Sequence, residues 1–359
     1  MKHCNNFVVL FPNFEEVHKI KDVGSIPEAV GRVNNWQAIV ACNSPPELDG
    51  EQRFKYSKIE GVSRLNTLNS LYYLFLNRNE IDLVNLYHLC FYSVFLSIFL
   101  NFLKIIGMWE GKIYLKLDIS HEVLNSLKKP FKRFAIRGIL SLFDIVSCEV
   151  QDILREIETT TNYSKLVYIP NSADRKFIEI SKKLIKKKQK LGNGFISVAR
   201  HGTYQKNSKE LVRGYLEYCK KSANPFPLYL VGEVKSNLLS WLDNIEDSNV
   251  KNIKVIGNLD SREELINYYL KSCTLVLSSR WEGYPLVLEE AANLGLSAIM
   301  SDSILAAKDA FDKKLLTYYR LGNIEELANA FYKHESISRK PIISSINNEW
   351  DIHIKKILR

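Results

Sequence analysis

Short apolar runs rich in β-branched residues alternate with helix-period segments in both halves of this 359-residue chain. Such alternation limits the chain to α/β folds, in which helices cover both faces of parallel sheets. In the first half the strand signals are FVVLF, AIVAC, IDLVNLYH, KIYLKLDIS, DIVSCEV and LVYIPNS, with IPEAVGRVNNW, an apolar helix and a basic helix among them. In the second half Phe195 to Val198 predicts a strand, and Ser208 to Lys221 a helix with Leu211, Tyr215, Tyr218 and Cys219 on one face. PLYLVGE, IKVIGNL, TLVLSS and SAIMSD read as further strands, and Glu263 to Lys271 as a helix. The length suffices for two cores. Between the halves, FIEISKKLIKKKQKLGNG is dense in lysine, ends in Gly192 and Gly194, and reads as a linker. The expected division is a first domain over 1–172, a basic linker over 173–194, a second domain over 195–342 and a last helix over 343–359.

Composition narrows little else. A formal charge of +9 suits anionic substrates, an anionic membrane surface or nucleic acid. No nucleic-acid-binding motif organises the aromatic residues, so a nucleic-acid partner is not expected. Cys4, Cys42, Cys90, Cys148, Cys219 and Cys273 lack metal-ligand spacing and read as buried free thiols of a reducing compartment. The first residues run directly into FVVLF without a secretory pattern, so the expected location is the cytoplasm, with contact at the inner membrane face as an extension. Leu83 to Met108 is strongly apolar, but its uncharged run, Phe91 to Leu103, is shorter than the roughly 20 residues a membrane span needs. Ser93, Ser97, Asn101 and Lys104 mark a thin polar stripe along it. The expectation is a largely buried helix packed on a sheet, with an interfacial helix as the alternative.

The string SSRWEGYPLVLEEAANLG holds two carboxylates eight positions apart, Glu282 and Glu290. TLVLSS before it predicts a strand; Leu286 to Leu294 predicts a helix, with Pro285 in its first turn and Gly295 as its stop. Glu282 then lies in a strand-to-helix loop at the carboxyl end of a sheet, where ligands of open α/β sheets bind. A helix N-terminus there offers N–H groups to phosphate. Carboxylates on either side can accept hydrogen bonds from hydroxyls. The ligand such a pair suits is hydroxyl-rich at both ends with a diphosphate between.

This string resembles the signature of retaining GT-B glycosyltransferases, particularly glycosyltransferase family 4 (group 1). The resemblance implies that Glu282 contacts the donor sugar and Glu290 the nucleotide ribose, with Gly283, Tyr284, Pro285 and Leu286 completing that side of the donor site. ISVARHGTYQKNSKELV is similar to the family's diphosphate-binding segment, so Arg200 and Lys206 are expected to clamp the diphosphate. Because such enzymes generally work without a catalytic metal, no cofactor is expected beyond the UDP- or GDP-sugar substrate. Gly232-Glu233 and Gly257-Asn258, each after a strand, match loops near the nucleobase; turn glycines are the plainer reading. The implied architecture is two Rossmann-like domains facing a central cleft, the last helix crossing back to the first domain.

The first domain departs more from the family's pattern. Instead of a paired-glycine loop near the start it offers only Gly24, a donor-site candidate or an ordinary turn glycine. Where many members have a His at the end of an inner strand, this chain has Asp118, with His121 three residues on. Asp118 is expected to orient an acceptor hydroxyl or offset positive charge on the sugar, unless it merely caps a helix. His88 reads as structural. Leu124 to Phe143 interleaves Lys128, Lys129, Lys132, Arg133 and Arg137 with Phe131, Phe134 and Ile136, which fits an anionic membrane surface or a half-buried helix equally. The reaction implied is retaining transfer of a sugar from a nucleotide-activated donor to a glycan or lipid-linked acceptor, of the kind that builds capsule or O-antigen polysaccharide. A nucleotide-sugar epimerase of the same fold and a non-catalytic membrane-bound partner are the alternatives.

Overall fold

The computed structural model describes residues 4–47, 52–118, 130–186, 190–336 and 350–358. The chain forms two compact units, Met1–Ser172 with Asn348–Arg359, and Ala173–Asn347.

The first unit is built on a sheet of seven strands in the order β3-β2-β1-β4-β5-β6-β7, every neighbouring pair parallel. They are β1 (Asn5–Leu10), β2 (Trp36–Cys42), β3 (Phe54–Lys58), β4 (Leu83–Tyr87), β5 (Lys112–Lys116), β6 (Ile145–Cys148) and β7 (Leu166–Tyr168). Because β1 sends its chain one way and β4 begins the other, the topological switch lies between these two strands. The helices are α1 (Asp22–Val30), α2 (Asn66–Asn77), α3 (Phe91–Ile105), α4 (Pro130–Leu140) and α5 (Gln151–Thr161). The polar edge strand β3 and helix α2 lack a clear periodic signal and are additions to the sequence reading.

The second unit repeats the plan with six strands in the order β10-β9-β8-β11-β12-β13, also parallel throughout. These are β8 (Phe195–Val198), β9 (Leu228–Val231), β10 (Ile253–Gly257), β11 (Thr274–Leu277), β12 (Ser297–Ser301) and β13 (Leu316–Tyr319). Here the switch falls between β8 and β11. Helices α6 (Arg175–Ile185), α7 (Ser208–Lys221), α8 (Ser236–Asp243), α9 (Arg262–Leu270), α10 (Leu286–Asn293), α11 (Ala307–Ala310) and α12 (Ile324–Glu335) connect and cover them. An aromatic cluster of Phe195, Tyr215, Tyr218 and Phe331 fills the core beneath α7 and α12.

Three features differ from the sequence expectation. The segment read as a linker is helix α6, capped by Asp174, whose carboxylate accepts from the Phe177 N–H at 2.9 Å; Phe177 is wholly buried, and α6 packs on α9 within the second unit. Its lysines occupy the outer face of an amphipathic helix, which hid the buried face from a reading by charge density. Helix α3 is not largely buried: it turns its serines inward and Phe91, Phe95, Ile98, Phe102 and Ile105 outward. Cys4 and Cys90 are exposed, whereas the other four cysteines are buried.

The last helix, α13 (Trp350–Ile354), belongs to the first unit, where Trp350, Ile354 and Ile357 join the core beside α1. Arg32, two residues past α1, reaches Asp351 at 2.5 Å and holds Glu28 of α1 with its other terminal nitrogen at 3.1 Å. No helix of the described residues is long and apolar enough to cross a membrane.

Candidate active site

At the switch point of the second sheet, the loops after β8 and β11 are stitched together. Ser278 donates its hydroxyl to the carbonyls of Lys206 and Asn207 at 3.0 and 3.2 Å. The Arg280 N–H donates to the Gln205 carbonyl at 2.8 Å, and the Gln205 amide returns a bond to the Trp281 carbonyl at 3.0 Å. Between the loops, the Lys206 ammonium meets the nearly buried Glu282 carboxylate at 2.5 Å. Gln205 reaches that carboxylate's other oxygen at 3.4 Å. Two residues 76 positions apart, one cationic and one anionic, therefore share one point at the end of the sheet. Arg200 stands exposed where β8 ends.

Helix α10 starts directly after this pair. Pro285 is its N-cap, one residue before the expected position, and Leu286 its first helical residue. The helix ends as expected: Gly295 takes φ 80°, its N–H bonds the Ala292 carbonyl at 3.0 Å, and Leu296 bonds that of Ala291 at 3.1 Å. Tyr284 turns inward and donates its hydroxyl to Glu289. Glu290, on the buried face of α10, accepts from Arg262 at 3.1 Å and from the Tyr269 hydroxyl at 2.8 Å. Burial pushes its carboxyl above the ordinary range, against the pull of Arg262 and Tyr269. Arg262 in turn spans to Asp174 at 2.5 Å. Of this set, sequence reading found Glu290 and missed Arg262, Tyr269 and Asp174.

The neighbouring loops converge on the same end. Gly232 follows β9 with φ 106°, and a Cβ on it would lie 2.4 Å from the Ala199 carbonyl oxygen, so only glycine fits beside β8. Its N–H bonds the Gly257 carbonyl at 2.7 Å, joining the loops after β9 and β10. The Glu233 carbonyl accepts the His201 N–H at 2.7 Å, while the Glu233 and Asn258 side chains stand exposed. The structure thus brings Arg200, Lys206, Gly232, Glu233, Gly257, Asn258, Glu282 and the start of α10 to the carboxyl ends of four adjacent strands.

Residues 177–335 match the family model for glycosyl transferases group 1. The second unit is similar to a group 1 glycosyl transferase domain. Solved structures match nearly the whole chain. Sucrose-phosphate synthase from Thermosynechococcus elongatus aligns with a TM-score of 0.69 at 12% identity, covering 98% of this chain and 92% of that one. The lipopolysaccharide outer core galactosyltransferase WaaB, in its apo form, gives 0.62 at 15% identity over 92% and 90% of the two chains. HepE from Anabaena, in complex with UDP and glucose, gives 0.60 at 13% identity over 98% and 94%. At these identities the likeness is one of fold, and the fold is GT-B. By sequence, none of the curated proteins matches the chain.

The first unit has a charged cluster of its own at the carboxyl ends of β5 and β6 and the start of α1. Lys116, the last residue of β5, is buried and bonds Glu149, just after β6, and Asp22, at the start of α1, the latter at 3.2 Å. Burial opposes the Lys116 charge, but Glu149 and Asp22 outweigh it and hold the ammonium well above its ordinary range. Burial pushes the Glu149 carboxyl well up, and its second oxygen is buried without a hydrogen-bond partner. Asp118 sits over this cluster, partly open to solvent, with His88 Nδ1 at 3.4 Å from its carboxylate. Burial works against its charge too, yet Glu149, Lys116 and His88 together hold the Asp118 carboxyl below the usual range.

His88 and Asp118 both take left-handed backbone conformations, φ 59° and 45°, which non-glycine residues rarely adopt. Strain of that kind gathers at sites where side chains must be aimed. Gly24 lies inside the first turn of α1 rather than in a loop; a Cβ there would come within 2.4 Å of the Lys19 carbonyl oxygen. His121, Lys128 and Lys129 fall outside the described residues. Among the described residues no group of three or more His, Cys, Asp or Glu side chains is placed to hold a metal ion.

Proposed function

We propose that the chain transfers a sugar from a nucleotide-activated donor to a hydroxyl of a glycan or lipid-linked acceptor, with retention of anomeric configuration and without a metal. The observation that carries the reading is the Lys206–Glu282 pair at the switch point of the glycosyl transferase domain, with Glu290 eight residues on. A diphosphate leaving group gains negative charge as the bond from sugar C1 breaks. Lys206 and Arg200 would meet that charge, and fixed donors aimed at developing charge contribute about 10²–10³ in rate each. Glu282, beside the ammonium, would hold donor-sugar hydroxyls, and Glu290 the ribose hydroxyls, its carboxylate oriented by Arg262 and Tyr269.

In the proposed step the acceptor oxygen bonds to C1 on the face the diphosphate leaves. Its proton passes to the departing phosphate oxygen, so no strong protein base is needed. Asp118, kept ionised, would accept a hydrogen bond from the acceptor hydroxyl or offset charge on the ring. Support for the substrate class comes from HepE, solved with UDP and glucose, and from a trehalose-phosphate synthase described as UDP-forming. WaaB, a lipopolysaccharide galactosyltransferase, supports a role in bacterial surface polysaccharide of capsule or O-antigen type. We place the enzyme in the cytoplasm, touching the inner membrane face through Leu124 to Phe143.

Calorimetric titration with UDP, GDP, ADP and CMP, with and without EDTA, tests the donor site. One nucleotide should bind at micromolar affinity regardless of EDTA, and Glu290→Ala should weaken it by at least about tenfold. Silence from all four nucleotides, or a Glu290→Ala affinity equal to wild type, contradicts the donor site as drawn.

A further inference from the structure

Helix α3 is turned against its own polarity. Ser93 and Ser97 are fully buried beside Leu96, Leu100 and Leu103. Their hydroxyls are satisfied locally: Ser93 donates to the His88 carbonyl at 2.6 Å and Ser97 to that of Val94 at 2.7 Å. Asn101 closes the seam with 2.8 Å bonds to the carbonyls of Ser97 and Leu142. The outer line is Phe91, Phe95, Ile98, Phe102 and Ile105, spaced alternately four and three residues apart, with Phe91 80% and Ile105 83% exposed. Helix α2 packs alongside and exposes Leu68, Tyr72 and Leu76 in a parallel line. Apolar surface of this extent on a protein marks a place of contact.

Charge says what meets it. Helices α2, α3 and α4 contain no Asp or Glu, whereas α5, next in the chain, has Asp152, Glu156 and Glu158. The cations of these helices are Lys104, tied to Asp144 at 2.6 Å, and Lys132, Arg133 and Arg137 on α4. Arg133 and Arg137 are exposed on either side of Phe134, itself 81% exposed. Helices with apolar outer lines that carry cations but no carboxylates of their own suit a bilayer with anionic headgroups. A second copy packed on the same helices about a two-fold axis would find on them no carboxylate to pair with their cations.

We propose that the α2–α3 face is the surface that docks on an anionic lipid bilayer, its Phe and Ile line entering the acyl boundary while the α4 arginines meet lipid phosphates. The idea deepens the membrane part of the reading above, moving the main contact from the basic helix to the apolar pair, and it stands whether or not sugar transfer is confirmed. The test is co-sedimentation of the whole chain with vesicles of phosphatidylcholine, alone or mixed with phosphatidylglycerol. Phe91→Glu with Ile105→Glu should lower binding to the mixed vesicles at least about tenfold, since two large exposed apolar groups are lost from the contact. Arg133→Glu with Arg137→Glu should remove the preference for phosphatidylglycerol and its salt sensitivity. Nucleotide titration of both variants separates a lost surface from a lost fold. The proposal is overturned if wild-type protein ignores both vesicles, or if the Phe91/Ile105 variant binds as wild type. It is equally overturned if the wild type is a dimer in solution that this variant dissolves.

Discussion

Lys206 and Glu282 hold each other at 2.5 Å, so a phosphate arriving at this point competes with a carboxylate for the ammonium. Lys206→Ala removes that cation and leaves Glu282 nearly buried without it. Turnover should fall at least about tenfold, read as sugar transferred from the nucleotide donor; an unchanged rate would take Lys206 out of the site. Lys116 poses the matching question in the other unit. Lys116→Met strands Glu149 and Asp22, and stability should drop by about 3–5 kcal/mol in a denaturant titration, whereas Lys116→Met with Glu149→Leu should regain most of it. Retained stability in the single variant would mean the carboxylates find another partner. Glu282 and Glu290 were legible because one short string holds them both. Lys116 and Glu149 were not, since strand register alone brings them together across 33 positions. Their only signal was a lysine and a glutamate set into otherwise apolar strand segments, KIYLKL and SCEV.

Among elements, the loops after β9 and β10 offer a controlled comparison. Gly232 and Gly257 both have positive φ, 106° and 79°, but only Gly232 is crowded, by the Ala199 carbonyl; nothing lies within 4 Å of a Cβ at Gly257. Gly257→Ala should cost about 1 kcal/mol for its backbone alone, and Gly232→Ala clearly more, with weaker nucleotide binding. Equal costs in thermal unfolding would show that the β8 contact is not what fixes the loop. Strand β8 and helix α7 were readable residue for residue because their periodicities change sharply at each end. Helix α3 was readable as a helix and misread in orientation: a polar stripe gives a direction, but not which way is in. The serines could face the sheet because each hydroxyl satisfies itself on a nearby carbonyl, a bond no periodicity reveals.

For the molecule as a whole, buried histidines set an acid limit. Burial pushes His201 down from 6.5 to about 4, and His353 likewise to about 4. Both side chains are neutral when folded and take up protons more readily when unfolded. Stability is therefore complete above pH 6.5 and lost as pH falls toward 4, at about 2 kcal/mol per histidine between pH 7 and pH 5. His201→Gln should remove that share from the denaturant midpoint's pH dependence; an identical slope would place the acid sensitivity elsewhere. The two-unit plan was legible from the repeated alternation, and so was the apolar tail, but the place of α6 within the second unit was not.

The tail has a consequence for how the chain is made. Trp350, Ile354 and Ile357 complete a core whose other members lie before Ser172. A ribosome delivers them only after every residue of the second unit has been made. Domains generally fold as they are synthesised, the earlier first. Here the earlier one stays unfinished until the second unit has been made, its groove beside α1 open through the whole synthesis of its successor.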